Sequence, residues 1–199
     1  KVTQVGWMFY GTRSLKELNG FESWDLSNVK NFGSMFRSTG LNEIKFPRAG
    51  NILTLGNAFD GCVNLVTVDL SNLKLNDTNS WIETFKNCSK LQTIYVADDF
   101  TNKSQASQNT FYNCTSLVGG AGTKYDPTFI DSTGAHIDGD PSNPGYFTSI
   151  SDKPLETTQT NESDISETTG NEVRSVEAPV KEPDELESDS KQNELESQQ

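Results

Sequence analysis

The sequence predicts an α/β solenoid of about five coils, each built from a short strand and a short helical segment. Three observations lead to this prediction: phenylalanines recur at a nearly constant spacing, apolar residues alternate after them, and no aromatic residue follows Phe147. Repeats of this length are typical of solenoids, whose units stack along one axis. The same observations divide the chain into a repeat array over residues 1–118, a closing segment over residues 119–149 and a disordered tail over residues 150–199.

The repeat is defined by five phenylalanines with spacings of 27, 23, 26 and 26 residues: Phe9, Phe36, Phe59, Phe85 and Phe111. A leucine follows six residues after the phenylalanine in four repeats and one residue early in the second repeat. These leucines are Leu15, Leu41, Leu65, Leu91 and Leu117. Because a unit this short cannot bury its apolar edge alone, the units are expected to stack on one another.

The two elements of each repeat follow from the spacing of its apolar residues. In most repeats apolar residues stand four and seven positions before the phenylalanine, as Val5 and Val2 do, and this spacing indicates one face of a short helix. After the phenylalanine, Leu65, Val68 and Leu70 change to the alternating spacing of a strand. The repeat therefore reads as a helical segment, a turn and a strand.

The last quarter of the chain differs from the rest in composition and charge. Residues 1–150 carry 14 acidic and 12 basic side chains, whereas residues 151–199 carry 14 acidic and 4 basic ones. A segment dominated by Glu, Ser, Thr and Gln, without an aromatic residue, buries too little apolar surface to offset its chain entropy. This acidic segment is therefore expected to be disordered.

The charge and hydrophobicity also limit the classes of partner. Nucleic acid is not an expected partner, because phosphate binding requires clustered Lys and Arg. Insertion into a membrane is not expected, because no apolar run reaches the roughly 18 residues of a membrane span. We expect a monomer. The chain starts at Lys1 without an initiator Met or a signal peptide, so we expect it to be a piece of a longer protein.

Two stretches carry a more specific pattern. Residues 26–29 read Leu-Ser-Asn-Val and lead to Gly-Ser-Met-Phe at 33–36, and residues 59–62 read Phe-Asp-Gly-Cys and lead to Leu-Val-Thr-Val-Asp-Leu-Ser-Asn at 65–72. This pattern resembles the BspA-like leucine-rich repeats of bacterial surface proteins, over about residues 1–149. The sequence departs from it at Thr78, Ser104 and Ser107, where the family has apolar residues.

The resemblance implies an extracellular binding or adhesion module at the cell surface or in the cell wall. Its partner would be a protein or a glycan of a host or of a neighbouring cell, and no cofactor is implied. An alternative interpretation is an architectural stalk that separates other domains of a surface protein and has no ligand of its own.

The binding surface is predicted on the strand side of the repeats, which solenoids of this type usually use. Outward residues of the predicted strands form two rows: Glu17, Glu43, Thr67 and Thr93, and Asn19, Lys45, Asp69 and Tyr95. Tyr95 is the strongest candidate, since packing does not require an aromatic residue there. The alternative is a solvated face with paired charges, such as Lys45 beside Asp69.

Cysteine and histidine residues have structural interpretations in this sequence. Cys62, Cys88 and Cys114 occupy one repeat position at intervals of 26 residues, far from the close spacing of zinc ligands. They are expected to be free, buried thiols. His136 has no recognisable nucleophile motif around it, so no catalytic residue is assigned and an enzyme is not expected.

Two further features leave alternatives open. Asp131, Asp138 and Asp140 suggest a calcium loop, but the alternating order of calcium ligands is absent, and turn formation explains these residues as well. No metal site is assigned. Five Asn-x-Ser/Thr triplets could carry glycan in a eukaryotic secreted protein and would be structural in a bacterial one. They begin at Asn76, Asn87, Asn102, Asn113 and Asn161.

Overall fold

The computed structural model describes residues 1–104 and 107–155 of the 199-residue chain. Its regular structure is one parallel sheet of four short strands: β1 (Glu43–Lys45), β2 (Thr67–Asp69), β3 (Thr93–Val96) and β4 (Phe147–Ser149). The strands lie side by side in this order, so each strand pairs with its neighbour in the sequence. The predicted strand of the repeat is therefore confirmed for the second, third and fourth repeats.

The sheet is built on the alternating residues that follow the phenylalanines. Ile44, Val68 and Ile94 are partners in adjacent strands and are all buried, because alternate residues of a strand point to the same side. In β4, Phe147 is the partner of Ile94. The predicted closing segment contributes β4 as a further parallel strand, which leaves no unpaired edge on β3.

The predicted helical segment is wrong for the part of the chain that the structure describes. None of these residues lies in an α-helix, and the helical structure there consists of three short 3-10 turns: Phe21–Ser23, Ser132–Gly134 and Ile150–Asp152. Around each phenylalanine the backbone forms consecutive turns. One N–H group donates within the turn, and the next N–H group points to the neighbouring segment. In the third repeat, the N–H groups of Asn57, Phe59 and Gly61 donate to carbonyl oxygens of the next repeat at 2.8, 2.9 and 2.8 Å.

A repeated left-handed backbone conformation causes this alternation. Residues two positions before and two positions after every phenylalanine have positive φ: Trp7, Ser34, Asn57, Glu83 and Asn109, and Gly11, Ser38, Gly61, Asn87 and Asn113. Glycine adopts this conformation without strain, and asparagine tolerates it better than most residues. An α-helix would keep all its N–H groups within its own turns, whereas here every second N–H is available to the neighbouring repeat.

The five phenylalanines form one continuous stack. Successive ring centroids are 5.5, 5.6, 5.5 and 5.8 Å apart, and the planes of neighbouring rings differ by at most 11°. The last four rings are fully buried and Phe9 is partly buried. The equivalence of these residues, read from the sequence, is confirmed, and the stack runs through the core from the first repeat to the fifth.

Ordered structure continues past residue 150, where the composition changes. The turn Ile150–Asp152 follows β4 directly, and the backbone N–H of Ser151 donates to Asp98 Oδ1 at 3.1 Å. Lys153 then forms an ion pair with Asp69, which lies on β2. The prediction of a disordered acidic tail concerns residues that, from 156 to 199, lie outside the described part of the chain.

The phenylalanine stack predicts a ranking of stabilities. Phe59→Ala and Phe85→Ala should each lower the free energy of unfolding by about 3 to 5 kcal/mol, because each ring is buried between two neighbours. Phe9→Ala should cost less, since that ring stacks on one phenylalanine only. Tyr112→Ala, at a position that is 47% exposed, serves as the control. Thermal melts followed by circular dichroism would contradict the stack if all four variants lost similar, small amounts of stability.

Candidate functional site

The strand face contains the residues that the sequence analysis proposed for binding. The pairing of β1, β2 and β3 aligns them in two rows: Glu43, Thr67 and Thr93, and Lys45, Asp69 and Tyr95. Glu43 and Lys45 are exposed, whereas Asp69 is buried. Glu17 and Asn19 precede β1 in the first repeat, which forms no strand there. The predicted alignment is therefore present for six of the eight residues, and these six differ in accessibility.

A groove of about 560 Å³ runs along the amino-terminal part of this face. Six of the eight predicted residues line it: Glu17, Asn19, Glu43, Lys45, Thr67 and Asp69. The apolar side chains of Ile44 and Phe46, both almost fully buried, also contribute to its wall. Thr93 and Tyr95 are half-buried and do not line the groove. The groove therefore lies along the first three repeats, and Lys153, which follows β4, also lines it.

The exposed charges of the groove have no partners of opposite charge among the described residues. In that part of the chain, the ion pairs are Arg37–Asp60, Lys86–Glu83 and Lys153–Asp69. The groove also contains the exposed charged side chains Glu17, Glu22, Glu43, Lys45 and Arg48. Unpaired charges of both signs on one rigid surface can make directional contacts to a polar ligand.

Asp69 lies opposite Lys45 in the sheet but forms its ion pair with Lys153. Asp69 Oδ2 lies 3.0 Å from Lys153 Nζ, and Asp69 Oδ1 accepts hydrogen bonds from the backbone and the hydroxyl group of Ser71. The same Lys153 ammonium lies 5.2 Å from the centre of the Tyr95 ring. Burial raises the pKa of Asp69, but the hydrogen bonds from Ser71 and Lys153 outweigh it and bring the pKa below its usual value.

Lys153 is the residue of this face that sequence reasoning missed. It lies 84 residues from Asp69 in the chain and in a segment whose composition indicates a tail. Nothing in the pattern around residue 153 indicates the contact, because it depends on where the strand β4 directs the chain. The strongest sequence candidate, Tyr95, is consequently in contact with the protein's own lysine.

The three cysteines lie in a buried row beside the phenylalanine stack. All are free, and each thiol donates a hydrogen bond to the carbonyl oxygen of a phenylalanine in the preceding repeat, at distances of 2.9, 3.1 and 2.9 Å. Burial raises the pKa of Cys88 well above its usual value and that of Cys114 to about 12. The prediction of free, buried thiols is confirmed.

The carboxylates of the acidic loop accept hydrogen bonds from other groups of the chain. Asp138 Oδ2 accepts hydrogen bonds from the backbone N–H groups of Ala121 and Thr123 at 2.9 and 3.0 Å, and its Oδ1 accepts one from the Thr123 hydroxyl at 2.8 Å. Asp131 and Asp140 accept backbone hydrogen bonds elsewhere. In residues 1–104 and 107–155, no group of three or more His, Cys, Asp or Glu side chains could hold a metal ion.

The side chains of His136 and of four asparagines in the Asn-x-Ser/Thr triplets also form hydrogen bonds with other residues of the chain. The imidazole nitrogens of His136 lie 2.9 and 3.2 Å from the carbonyl oxygens of Thr133 and Asn143. Asn87 donates to Asp60, and Asn113 donates to Asn87, so these amides connect successive repeats. Asn76 and Asn102 donate to backbone carbonyl groups of other segments. Asn161 lies outside the described residues.

Comparison with protein families identifies the repeat. The model of the BspA type leucine rich repeat region matches residues 6–119 as six copies, which is more than half of the chain. The chain belongs to the BspA-type leucine-rich repeat family. Repeats of this family are associated with bacterial surface proteins and generally form binding or scaffold modules without enzymatic activity.

No curated protein and no solved structure matches this BspA-type chain. Among the described residues, no helix has the length and hydrophobicity needed to cross a membrane. The phenylalanines mark five repeats where the family model finds six copies.

The cysteine row of this BspA-type array predicts slow thiol chemistry. A maleimide reagent should label native Cys62, Cys88 and Cys114 slowly, because all three are buried, and should label all of them after denaturation. Val63→Cys, at a position that is 50% exposed, supplies a rapidly labelled control. Rapid native labelling of Cys88 would contradict the prediction, because it would show that this thiol is accessible. A mass two hydrogens below that of the free thiols would also contradict it, because it would show a disulfide.

The contact between Asp69 and Lys153 predicts a pH-dependent loss of stability. Lys153→Met should lower the free energy of unfolding near neutral pH by about 1 to 3 kcal/mol, since a buried carboxylate loses a charged donor. The folded pKa of Asp69 is below its unfolded value. The contribution is therefore complete above the unfolded pKa and is lost as the pH falls through the folded pKa.

Urea denaturation near neutral pH and below about pH 4 measures this dependence. The difference between the Lys153→Met variant and the parent should shrink at the lower pH. Lys30→Met changes an exposed lysine away from the strand face and should have little effect at either pH. A difference that is the same at both pH values would mean that the Asp69 carboxylate does not account for the effect of Lys153.

Proposed function

We propose that this BspA-type array is a non-enzymatic binding or adhesion module of a bacterial cell surface. Its repeats form a solenoid of about five coils and present the strand face to a protein or glycan of a host or neighbouring cell. The groove on that face, with its unpaired charges, is the observation that supports the proposal. The module acts outside the cell as a monomer and uses no cofactor.

The groove supports binding because the backbone positions of its polar residues are set before a ligand arrives. Glu43 and Lys45 stand on either side of the buried Ile44 in β1, so the sheet sets the distance between an acceptor and a donor. The strand backbone needs no rearrangement on binding, so the entropy cost is confined to the Glu43 and Lys45 side chains. A partner that combines donors and acceptors, such as an extended polypeptide or the hydroxyl groups of a sugar, fits this pattern.

The alternative is an architectural spacer with no ligand of its own. The contact of Lys153 with Asp69 and Tyr95 favours it, because the aromatic residue best suited to a partner is already engaged within the chain. Under this alternative, Glu43, Lys45 and Arg48 form a solvated surface only. The two functions differ in whether changes in the groove affect any association.

Binding measurements on the full chain distinguish the two functions. The chain would be tested against an array of glycans and a panel of extracellular proteins by biolayer interferometry. The double variant Glu43→Ala/Lys45→Ala should weaken binding by about tenfold or more, as expected for groups at the centre of an interface. Lys30→Ala, on an exposed position outside the groove, is the matched control.

Each outcome of this experiment assigns a function. Loss of binding in the double variant, with retention in Lys30→Ala, supports the strand face as the binding site. A ligand that binds all three proteins equally would place the site elsewhere. No association with either panel would favour the architectural spacer.

A further inference from the structure

The carboxylate of Asp69 is positioned by its own repeat. Asp69 is 2% exposed and lies in β2, between Lys45 of β1 and Tyr95 of β3. Its Oδ1 accepts hydrogen bonds from the backbone N–H of Ser71 at 3.1 Å and from the Ser71 hydroxyl at 2.6 Å. Its Oδ2 accepts one from Lys153. The strand and Ser71 therefore hold a buried carboxylate with one oxygen left for a cation.

The Tyr95 ring adds a second group that attracts a cation. The Lys153 ammonium lies 3.0 Å from Asp69 Oδ2 and 5.2 Å from the centre of the ring. An aromatic face attracts a cation electrostatically at such a distance, and a carboxylate forms a short, charge-assisted hydrogen bond with it. Asp69 and Tyr95 therefore suit a basic side chain, whichever polypeptide supplies it.

The backbone beside Lys153 is held by contacts that do not involve its side chain. The N–H of Lys153 donates to Ile150 O at 3.1 Å. The N–H of Ser151 donates to Asp98 Oδ1, also at 3.1 Å. The Lys153 side chain is 26% exposed and has a flexible four-carbon stem. Its ammonium group can therefore leave Asp69 while the turn stays in place.

The position of Asp69 opens to the groove of the strand face, because Asp69 and Lys153 both line that groove. With Lys153 turned away, the charged side chains that line the groove are four carboxylates and two cations: Glu17, Glu22, Glu43 and Asp69, and Lys45 and Arg48. This excess of negative charge favours a basic ligand over a neutral or acidic one. A ligand in the groove is also placed to reach Asp69 directly.

We propose that Asp69 and Tyr95 form a subsite for a lysine or arginine side chain of a polypeptide partner, and that Lys153 occupies this subsite until the partner displaces it. Since Asp69 is buried, the cation must reach it along a flexible stem, as Lys153 does. The amino group of an amino sugar is attached to the ring itself and has no such stem. The proposal rests on the binding function of the strand face and adds the chemistry of its ligand.

Binding of a short peptide to the full chain tests the subsite. The probe is a Gly-Gly-Lys-Gly-Gly peptide with blocked ends, and NMR titration of the isotope-labelled chain measures its Kd. The Lys153→Met variant should bind the peptide about tenfold or more tighter than the parent chain, because the internal competitor is absent. Lys153→Arg retains a cation on a flexible stem and should bind as weakly as the parent.

Matched controls separate the subsite from a general effect of charge. A peptide with norleucine in place of lysine keeps the stem without the ammonium group and should not bind Lys153→Met. The double variant Lys153→Met/Tyr95→Leu has the same net charge as Lys153→Met and should lose the gain in affinity. Lys153→Met/Asp69→Asn should lose it as well. Circular dichroism at the temperature of the titration checks that each variant is folded, and the half-buried position of Tyr95 accepts leucine if the Asp69→Asn variant unfolds.

Three results would overturn the proposal. The first is equal affinity of the parent chain and Lys153→Met for the lysine peptide, and the second is a gain that persists in Lys153→Met/Tyr95→Leu. The third is tighter binding of glucosamine than of the peptide by Lys153→Met, because the ligand would then be an amino sugar. Each is distinct from failure of the groove as a binding site, which the Glu43→Ala/Lys45→Ala variant tests with other ligands.

Discussion

The hydrogen bonds between successive repeats are the constraint on which this structure depends. Left-handed residues on both sides of each phenylalanine direct every second N–H to the next repeat, as Asn57, Phe59 and Gly61 do. The phenylalanine between them is held at the spacing of the repeats, so its ring stacks on the equivalent ring. Backbone pairing and aromatic packing therefore have the same period. Neither could change without disturbing the other.

The interior polar groups follow from the same arrangement. Carbonyl groups that accept an N–H group within the turn accept a second hydrogen bond from a buried side chain. The Cys88 thiol donates to Phe59 O, and the hydroxyl groups of Thr84 and Thr110 donate to Leu55 O and Trp81 O. These cysteine and threonine side chains thus act as hydrogen-bond donors to the backbone.

The strand face combines a rigid surface with a contact from the closing segment. The groove occupies the side of the face nearest the first repeat, where charges such as Glu43 and Lys45 have no partners among the described residues. Toward β3, Lys153 covers Asp69 and Tyr95. The closing segment therefore ends the sheet through β4 and also limits the part of the face that remains open. Within the same two rows, Glu43 and Lys45 are therefore accessible, whereas Asp69 and Tyr95 are in contact with Lys153.

The sequence by itself determined the repeat, the equivalence of its phenylalanines, the buried cysteines and the strands that carry Ile44, Val68 and Ile94, because all of these depend on local spacing. It did not determine the conformation before each phenylalanine. Residues spaced by three and four, such as Val2 and Val5, suit a helix and a tight turn equally, and only pairing with the next repeat favours the turn. The contact between Asp69 and Lys153 was likewise decided by tertiary structure. It joins residues 84 positions apart, and no local pattern records where β4 leads the chain.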